Sequence, residues 1–317
     1  MPAVRWHPLL GAMLLAALPA ACEVANPLFV PRDLDAPAAD GPPRPPDAGD
    51  GWVDGPTASD ASTDPPTNLP PDAASDLTPD ISINPPVDLR ANLLGHWRLD
   101  ETSGTMAADS SGNGHTGQLE GTPLPSWSSG QIEGALLMPA DASQYSTGVK
   151  VNATLPIRTL QRFTIAAWTL RTDLDTNRNM TVMSRQVGTG NNEVFNVGMD
   201  GAILRGWIQD PASGSIIKVN GPALSQPLGS WIHLAMTYDG NEVVLYTQGA
   251  RVASVPYTGG LIADETNPLY IGTNKNIGTG TNYHAYWEGK LDDVLLYSVA
   301  QSAETIRMLS MGASPGL

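Results

Sequence analysis

Several groups of side chains in this 317-residue chain have the types and spacing to do chemistry. Asp109, Ser111 and Asn113 supply side-chain oxygens at the first, third and fifth positions of a loop, with Gly114 at the sixth. Oxygens at that spacing suit a hard cation such as calcium, which gathers about six to eight of them. Glu120 takes the twelfth position, as in a helix-loop-helix calcium site, but residues 102–107 and 121–125 lack helical periodicity, so that fold is rejected. The neighbours Asp292 and Asp293 interrupt an apolar run, residues 291–297. Side chains alternate along a strand, so one of the two is expected to face inward and to need a partner there. Tyr283, His284, Tyr286 and Trp287 form the densest aromatic group, and Trp207 with Gln209 and Asp210 a second. Rings beside amides and carboxylates are the materials of a shallow sugar site, and Tyr283, Tyr286 and Trp207 are taken as ligand candidates. A further oxygen-rich loop, Asp173 to Asn179, reads as solvated.

No catalytic set is expected. A retaining glycosidase needs two carboxylates about 5 Å apart. Glu288 with Asp292 and Asp293 is the nearest approach, and that spacing does not bring all three onto one strand face. His-Glu-x-x-His, Gly-x-Ser-x-Gly and Walker patterns are absent from the sequence, and its five histidines are scattered. His96 and His233 lie inside strand patterns, where packing explains them.

The elements that must position these residues begin after a long preamble. Arg5 and the apolar run 9–18 form a secretory signal over residues 1–21, too short to span a bilayer, which needs about 20 apolar residues. The single cysteine, Cys22, follows directly, so neither an intramolecular disulfide nor a cysteine-based zinc site can form. Leu18-Pro19-Ala20-Ala21-Cys22 resembles the lipobox of bacterial lipoproteins, with Pro19 where that pattern prefers Leu, Val or Ile. The resemblance implies lipidation of Cys22 and a lipid-anchored place in the bacterial cell envelope. Glu23 differs from the aspartate associated with inner-membrane retention, which leaves the outer membrane or cell surface as the expected address. Ordinary signal cleavage, leaving a free thiol, is the alternative.

Residues 22–90 form a tether. The stretch 23–90 holds 15 of the 28 prolines, and its 13 acidic residues against three arginines give a local charge of −10 out of −15 for the chain. Such a segment has too little apolar content to offset its chain entropy, and proline with repelling aspartates extends it, to at most about 200 Å. With four lysines in the whole chain and net negative charge on both tether and domain, nucleic acid is excluded as a partner.

One globular domain remains, residues 91–312, followed by a short tail, 313–317. Its texture is short alternating runs bounded by turn residues, the pattern of an all-β sandwich. Strands are expected at residues 93–99, 163–170, 180–184, 194–199, 204–208, 216–219, 231–238, 243–245, 251–255, 269–272 and 287–297. Asp239-Gly240-Asn241 and Gln248-Gly249 make turns, and one helix begins at Ser302, with Ile306 and Leu309 as its apolar pair.

Four segments in order resemble one family. They are Gly95-His-Trp-Arg-Leu-Asp-Glu-Thr-Ser-Gly104 with the 108–117 loop; Phe163-Thr-Ile-Ala-Ala-Trp168; Trp231-Ile-His-Leu-Ala-Met-Thr-Tyr-Asp-Gly240 with Val244-Leu-Tyr246; and Gly289-Lys-Leu-Asp-Asp-Val-Leu-Leu-Tyr297 with Ser302-Ala-Glu304. Together they are similar to the laminin-G-like members of the concanavalin A-like lectin/glucanase superfamily. The resemblance implies a jelly roll of two antiparallel sheets. It also implies a structural calcium ion held by Asp109, Ser111 and Asn113 and completed by Asp292 or Asp293. The function expected is a non-catalytic, envelope-tethered binding module for carbohydrate or another cell-surface ligand. A structural or protein-interaction component of the envelope is the alternative, and a glycoside hydrolase ranks third.

Overall fold

The computed structural model describes residues 87–139, 147–152, 160–172, 179–187, 193–263, 267–274 and 285–316. The signal segment, Cys22, most of the tether, residues 173–178 and Tyr283 lie outside the described residues. In chain order the strands are β1 (Leu93–Trp97), β2 (Met106–Ala107), β3 (Gly117–Glu120), β4 (Ser126–Ser129), β5 (Gly134–Met138), β6 (Gly148–Val151), β7 (Phe163–Arg171) and β8 (Asn179–Gln186). They continue with β9 (Glu193–Asp200), β10 (Ile203–Gln209), β11 (Ile216–Ala223), β12 (Trp231–Tyr238), β13 (Glu242–Thr247), β14 (Ala250–Pro256), β15 (Leu269–Ile271) and β16 (Gly289–Tyr297), ahead of the helix α1 (Ala303–Leu309).

These strands form two antiparallel sheets. One runs β14-β13-β12-β7-β16-β5-β4, with β1 also on β16; the other runs β11-β10-β9-β8-β15-β6-β3-β2. This is the expected jelly-roll sandwich. The inner faces meet in one core, to which β7 gives Phe163, Ile165 and Ala167, β12 gives Ile232, Leu234 and Met236, and the opposing sheet gives Phe195, Val197, Leu204 and Ile208. Gly206 lets the sheets approach, because a Cβ there would lie 2.6 Å from the Met236 sulfur.

The first sheet is covered on both faces. Its outer side carries Ala166, Ala235, Val244, Tyr246, Leu295 and Tyr297, which pack under Ile306 and Leu309 of α1. That is why residues 163–168 and 291–297 read as near-continuous apolar runs rather than a clean alternation. A seven-residue helix is too short to stand alone, so α1 depends on this packing, worth about 1.5–3 kcal/mol for each fully buried side chain. Ser302 caps it as expected, its hydroxyl accepting the Thr305 N–H at 3.1 Å.

Turn chemistry departs from the common pattern at Gln248-Gly249, where φ is 49° and 76°. Both central residues are left-handed, as a tight hairpin turn of the primed kind requires, and Asn usually takes the first place. Gln248 compensates with its longer amide, whose oxygen accepts the His233 N–H at 3.0 Å just beyond the β12–β13 ladder. The sequence expectations contain no strand between residues 99 and 163, where the structure has β2 to β6. These strands are two to five residues long, and Gly117, Gly134 and Gly148 begin three of them, leaving too few alternating positions to signal a strand.

Candidate functional site

The loop between β2 and β3 is fixed by the oxygens expected to hold an ion. Asp109 Oδ1 accepts the N–H groups of His96 at 3.0 Å and Ser111 at 2.9 Å, and its Oδ2 accepts that of His115 at 2.8 Å. The Ser111 hydroxyl donates to the Leu94 carbonyl at 3.3 Å and accepts the Asn113 N–H at 3.2 Å. Asn113 turns its amide nitrogen toward β1, donating to the Leu93 and Leu94 carbonyls at 2.9 and 3.0 Å. Burial alone would raise the Asp109 carboxyl, but hydrogen bonds from Ser111, His115 and His96 outweigh it and hold the group below its usual range.

Oxygens at alternate positions therefore build successive side-chain-to-backbone turns that strap the loop onto β1. Such residues do not fit a calcium shell, in which the same oxygens would turn toward one centre. Among the described residues no group of three or more His, Cys, Asp or Glu is placed to hold a metal ion.

The fourth expected ligand serves a different loop. Asp292 Oδ2 accepts the N–H groups of Gln131 and Ile132 at 2.7 and 2.8 Å, closing the turn between β4 and β5. The alternation argument for Asp292 and Asp293 is corrected here: both are buried, at 0% and 3% exposure. The β7–β16 register shifts between Asp292 and Leu295, and Asp293 takes a left-handed φ of 47°, so this bulge removes the in-out alternation. Asp293 Oδ1 meets His96 Nε2 at 2.5 Å and accepts the Ser314 hydroxyl at 3.1 Å. Burial, with lesser repulsion from Asp293 and Asp100, pushes the Asp292 carboxyl up to about 7 against the two N–H donors. His233 stacks edge-on to Trp168 at 5.3 Å, and burial depresses its imidazole to about 4. Packing accounts for it, as expected, while His96 forms one half of a buried pair.

A different polar cluster occupies the outer face of the second sheet. The core-facing residues of β10 are Leu204 and Ile208, so Arg205, Trp207 and Gln209 point the other way, with Asn196 of β9 directly across from Trp207. Glu193, at the start of β9, joins them at 5% exposure. Its Oε1 accepts the amide of Asn274, whose own oxygen accepts from Gln186 at 2.9 Å, while the Glu193 N–H is held by Gln209 Oε1 at 3.0 Å. Burial pushes the Glu193 carboxyl up to about 7, against the lowering influence of Asn274, Trp207, Asn196 and Arg205. Neither Trp207 nor Asn196 completes a hydrogen bond to Glu193 Oε2, which stays buried without a partner, as does Asn196 Oδ1. Trp207 itself is half-buried, with the Arg205 guanidinium 5.0 Å from its ring centre.

Two of the expected ligand residues can be placed relative to this cluster. Trp207 belongs to it. Segment 285–287 runs beside 272–274, with Asn274 N–H donating to the Ala285 carbonyl at 3.1 Å and Trp287 N–H to that of Gly272 at 2.7 Å. Tyr286 is therefore adjacent to Asn274 in the fold but only 4% exposed, so its ring packs rather than faces solvent. Glu193, Asn196, Gln186 and Asn274 were absent from the sequence expectations. Their one available signal is Asn196, a polar residue inside the otherwise apolar run 194–199.

With this geometry in place, comparison with known proteins locates the chain. A laminin-G-like family model, described as concanavalin A-like lectin/glucanases superfamily, matches residues 143–307, just over half of the sequence. No curated protein matches the sequence significantly. Among solved structures, the binding domain of Paraclostridial Mosquitocidal Protein 1 aligns with a TM-score of 0.52 and 18% identity over 70% of this chain and 52% of that one. The receptor binding domain of botulinum neurotoxin D aligns at 0.53 and 12% identity, over 70% and 53%. Trypanosoma rangeli sialidase, in complex with 2,3-difluorosialic acid, aligns at 0.51 and 15% identity, over 70% and 33%. The chain spans about half the length of the first two, and at these identities the likeness is one of fold. By its matched segment and its two-sheet architecture, the chain belongs to the laminin-G-like branch of the concanavalin A-like lectin/glucanases superfamily.

Proposed function

We propose that this protein is a non-catalytic binding module for carbohydrate or another cell-surface ligand. It is held in the bacterial envelope by a lipid on Cys22 and set off from the membrane by the Pro/Asp-rich tether. The observation that carries the reading is the amide-and-carboxylate cluster around the half-buried Trp207 on the outer face of the second sheet. Amide oxygens and a carboxylate beside an indole can orient a polar ligand without transforming it. Binding domains with a similar fold lend support, as the solved structures named above include two.

Catalysis on a glycoside would ask for a second carboxylate facing the first across the scissile bond. Among the described residues, the groups that act on Glu193 are amides, an indole and Arg205, none of them acidic. No resident ion enters this proposal, because the Asp109 and Ser111 oxygens accept backbone N–H groups and Asn113 turns its amide nitrogen to β1. The test is a glycan and polysaccharide panel probed with the full chain in calcium and again in chelator. Saturable binding in both buffers, lost in Trp207→Ala, supports the proposal. Failure to bind any sugar, with co-purification of an envelope protein, would replace it by a protein-interaction role. For the anchor, Cys22→Ser should abolish metabolic lipid labelling, and unchanged labelling would remove it.

A further inference from the structure

Arg171 ends β7 on the side that faces the opposing sheet, in step with Phe163, Ile165 and Ala167. Its guanidinium crosses to that sheet, where Nη1 donates to the Gly201 carbonyl in the β9–β10 turn at 3.3 Å. The residue is only 4% exposed. A single carbonyl is little for a buried cation that carries a whole fork of N–H donors. Guanidinium stays charged at any ordinary pH, so it cannot shed the charge as a buried lysine does, and a buried charge is costly unless it is paired.

Four other arginines have such a pair although they are more exposed. Arg98 faces Asp100 and Glu133, Arg205 faces Asp200, Arg251 faces Glu242 and Arg307 faces Glu304, at side-chain exposures from 14% to 55%. Among the described residues no carboxylate acts on Arg171, and burial alone pulls its proton affinity down. Asp200, next in the chain to Gly201, is turned to Arg205.

Main chain rather than side chains surrounds the group. Gly289 stands opposite Arg171 in the β7–β16 ladder, and the Gly229 N–H donates to the Arg171 carbonyl at 2.9 Å. With Gly201 these are three glycines, all at positive φ, and none can offer a counter-charge. A Cβ placed on Gly229 would meet nothing within 4 Å, so there is open space beside Arg171. Space next to a buried guanidinium suits a small oxyanion, whose paired oxygens match the fork of donors.

We infer that Arg171 anchors an oxyanion site at the end of the sandwich, between the β9–β10 turn and the start of β16, which takes a carboxylate or sulfate group. The group can arrive as a free anion or as the acidic substituent of a glycan. The site is independent of the binding surface proposed at Trp207, because Arg171 faces between the sheets and Trp207 points out of the second one. A guanidinium kept only as a strut to Gly201 would be needed for stability in any buffer. A receptor instead carries an uncompensated charge until its anion arrives.

The experiment is a calorimetric titration of the full chain with sodium sulfate and with a sulfated disaccharide, at ionic strength held constant with chloride. It is repeated for Arg171→Met and for Arg171→Lys, which keeps the charge and loses the fork, with circular dichroism of each variant to verify folding. The expected result is saturable binding that weakens at least tenfold in Arg171→Met and falls also in Arg171→Lys. Arg171→Met should melt no lower than the wild type in chloride, and sulfate should raise the wild-type melting temperature by more than that of the variant, since sulfate stabilises folded chains generally. Tighter binding of the disaccharide than of sulfate assigns the site to an acidic glycan, equal binding assigns it to a free anion, and either supports the site. No saturable binding of either probe by the wild type, or wild-type affinity in whichever variants fold, would overturn the inference. So would a lower melting temperature of Arg171→Met in chloride with no difference in the response to sulfate, which is the signature of a strut. None of these failures touches the binding-module reading.

Discussion

The 109–115 loop and the Glu193 cluster are built from similar side chains and end in opposite states. In the loop, the carboxylate of Asp109 is surrounded by backbone N–H groups, and Ser111 and Asn113 are tied to β1. On the outer face of β8, β9 and β10, Glu193 has one oxygen engaged and one left open. The first arrangement lowers the carboxyl's proton affinity and the second raises it. An acidic residue among polar neighbours thus does not by itself mark a ligand site. What separates a clamp from a receptor is how many of its lone pairs the fold has already filled.

The sharpest way to break this comparison is to remove the clamp. Asp109→Ala leaves three N–H groups without their acceptor, and at about 1 kcal/mol for each lost hydrogen bond the domain should lose about 3 kcal/mol in urea unfolding. Sugar affinity should hardly change. A loss below about 1 kcal/mol would show that the loop does not depend on the clamp.

The next effect is a pH dependence of nearly equal size. Glu193 titrates at about 7 in the folded chain against 4.5 for the free group, so between those values the folded state holds a proton that the unfolded state has released. Stability from this group is therefore fully present below about pH 4.5 and is lost as pH rises through 7. Asp292, raised to about 7 from 3.8, acts in the same direction. Depressed to about 4 from 6.5, His233 acts oppositely, its contribution being present above 6.5 and lost as pH falls toward 4. Melting temperature should thus fall as pH rises from about 4.5 to about 7.5, most steeply above 6.5 where His233 no longer opposes, and Glu193→Gln should flatten that fall by up to about 2–3 kcal/mol accumulated over the whole interval. An identical pH profile in the variant would place the Glu193 carboxyl at its ordinary value.

Asn113→Ala, which removes two hydrogen bonds to β1, should cost about 1–2 kcal/mol in the same unfolding assay, less than Asp109→Ala. The smallest expected effect is that of chelator. With the Asp109 and Ser111 oxygens held by N–H groups and the Asn113 amide nitrogen turned to β1, melting curves in calcium and in chelator should coincide. A clear drop in chelator would return Asp109, Ser111 and Asn113 to the role of ion ligands.

These regions also show how far sequence reaches. Long strands such as β7, β12 and β16 were evident because their apolar runs span eight or nine residues, and the Ser302 cap marked α1 because its hydroxyl has a local backbone target. The loop residues stand out in the sequence, but an ion-binding loop and a chain of side-chain-to-backbone turns use the same spacing. Only the directions of the N–H groups separate them. Asp292 and Asp293 misled because alternation holds for a regular strand, and a bulge with a left-handed residue is invisible in composition. The Glu193 cluster could not be assembled at all, since its members come from β8, β9, β10 and the 272–274 segment, and only strand register brings Asn196 opposite Trp207.

The central claim is that recognition resides on the outer face of the second sheet and not in the 109–115 loop. Its most direct test is the affinity of the full chain for its best panel glycan, measured in parallel for Trp207→Ala and Asp109→Ala under conditions where both are folded. We expect Trp207→Ala to lose at least tenfold in affinity and Asp109→Ala to bind as the wild type does. Binding that survives Trp207→Ala but fails with Asp109→Ala, or in chelator, would contradict the claim and move the site to the loop.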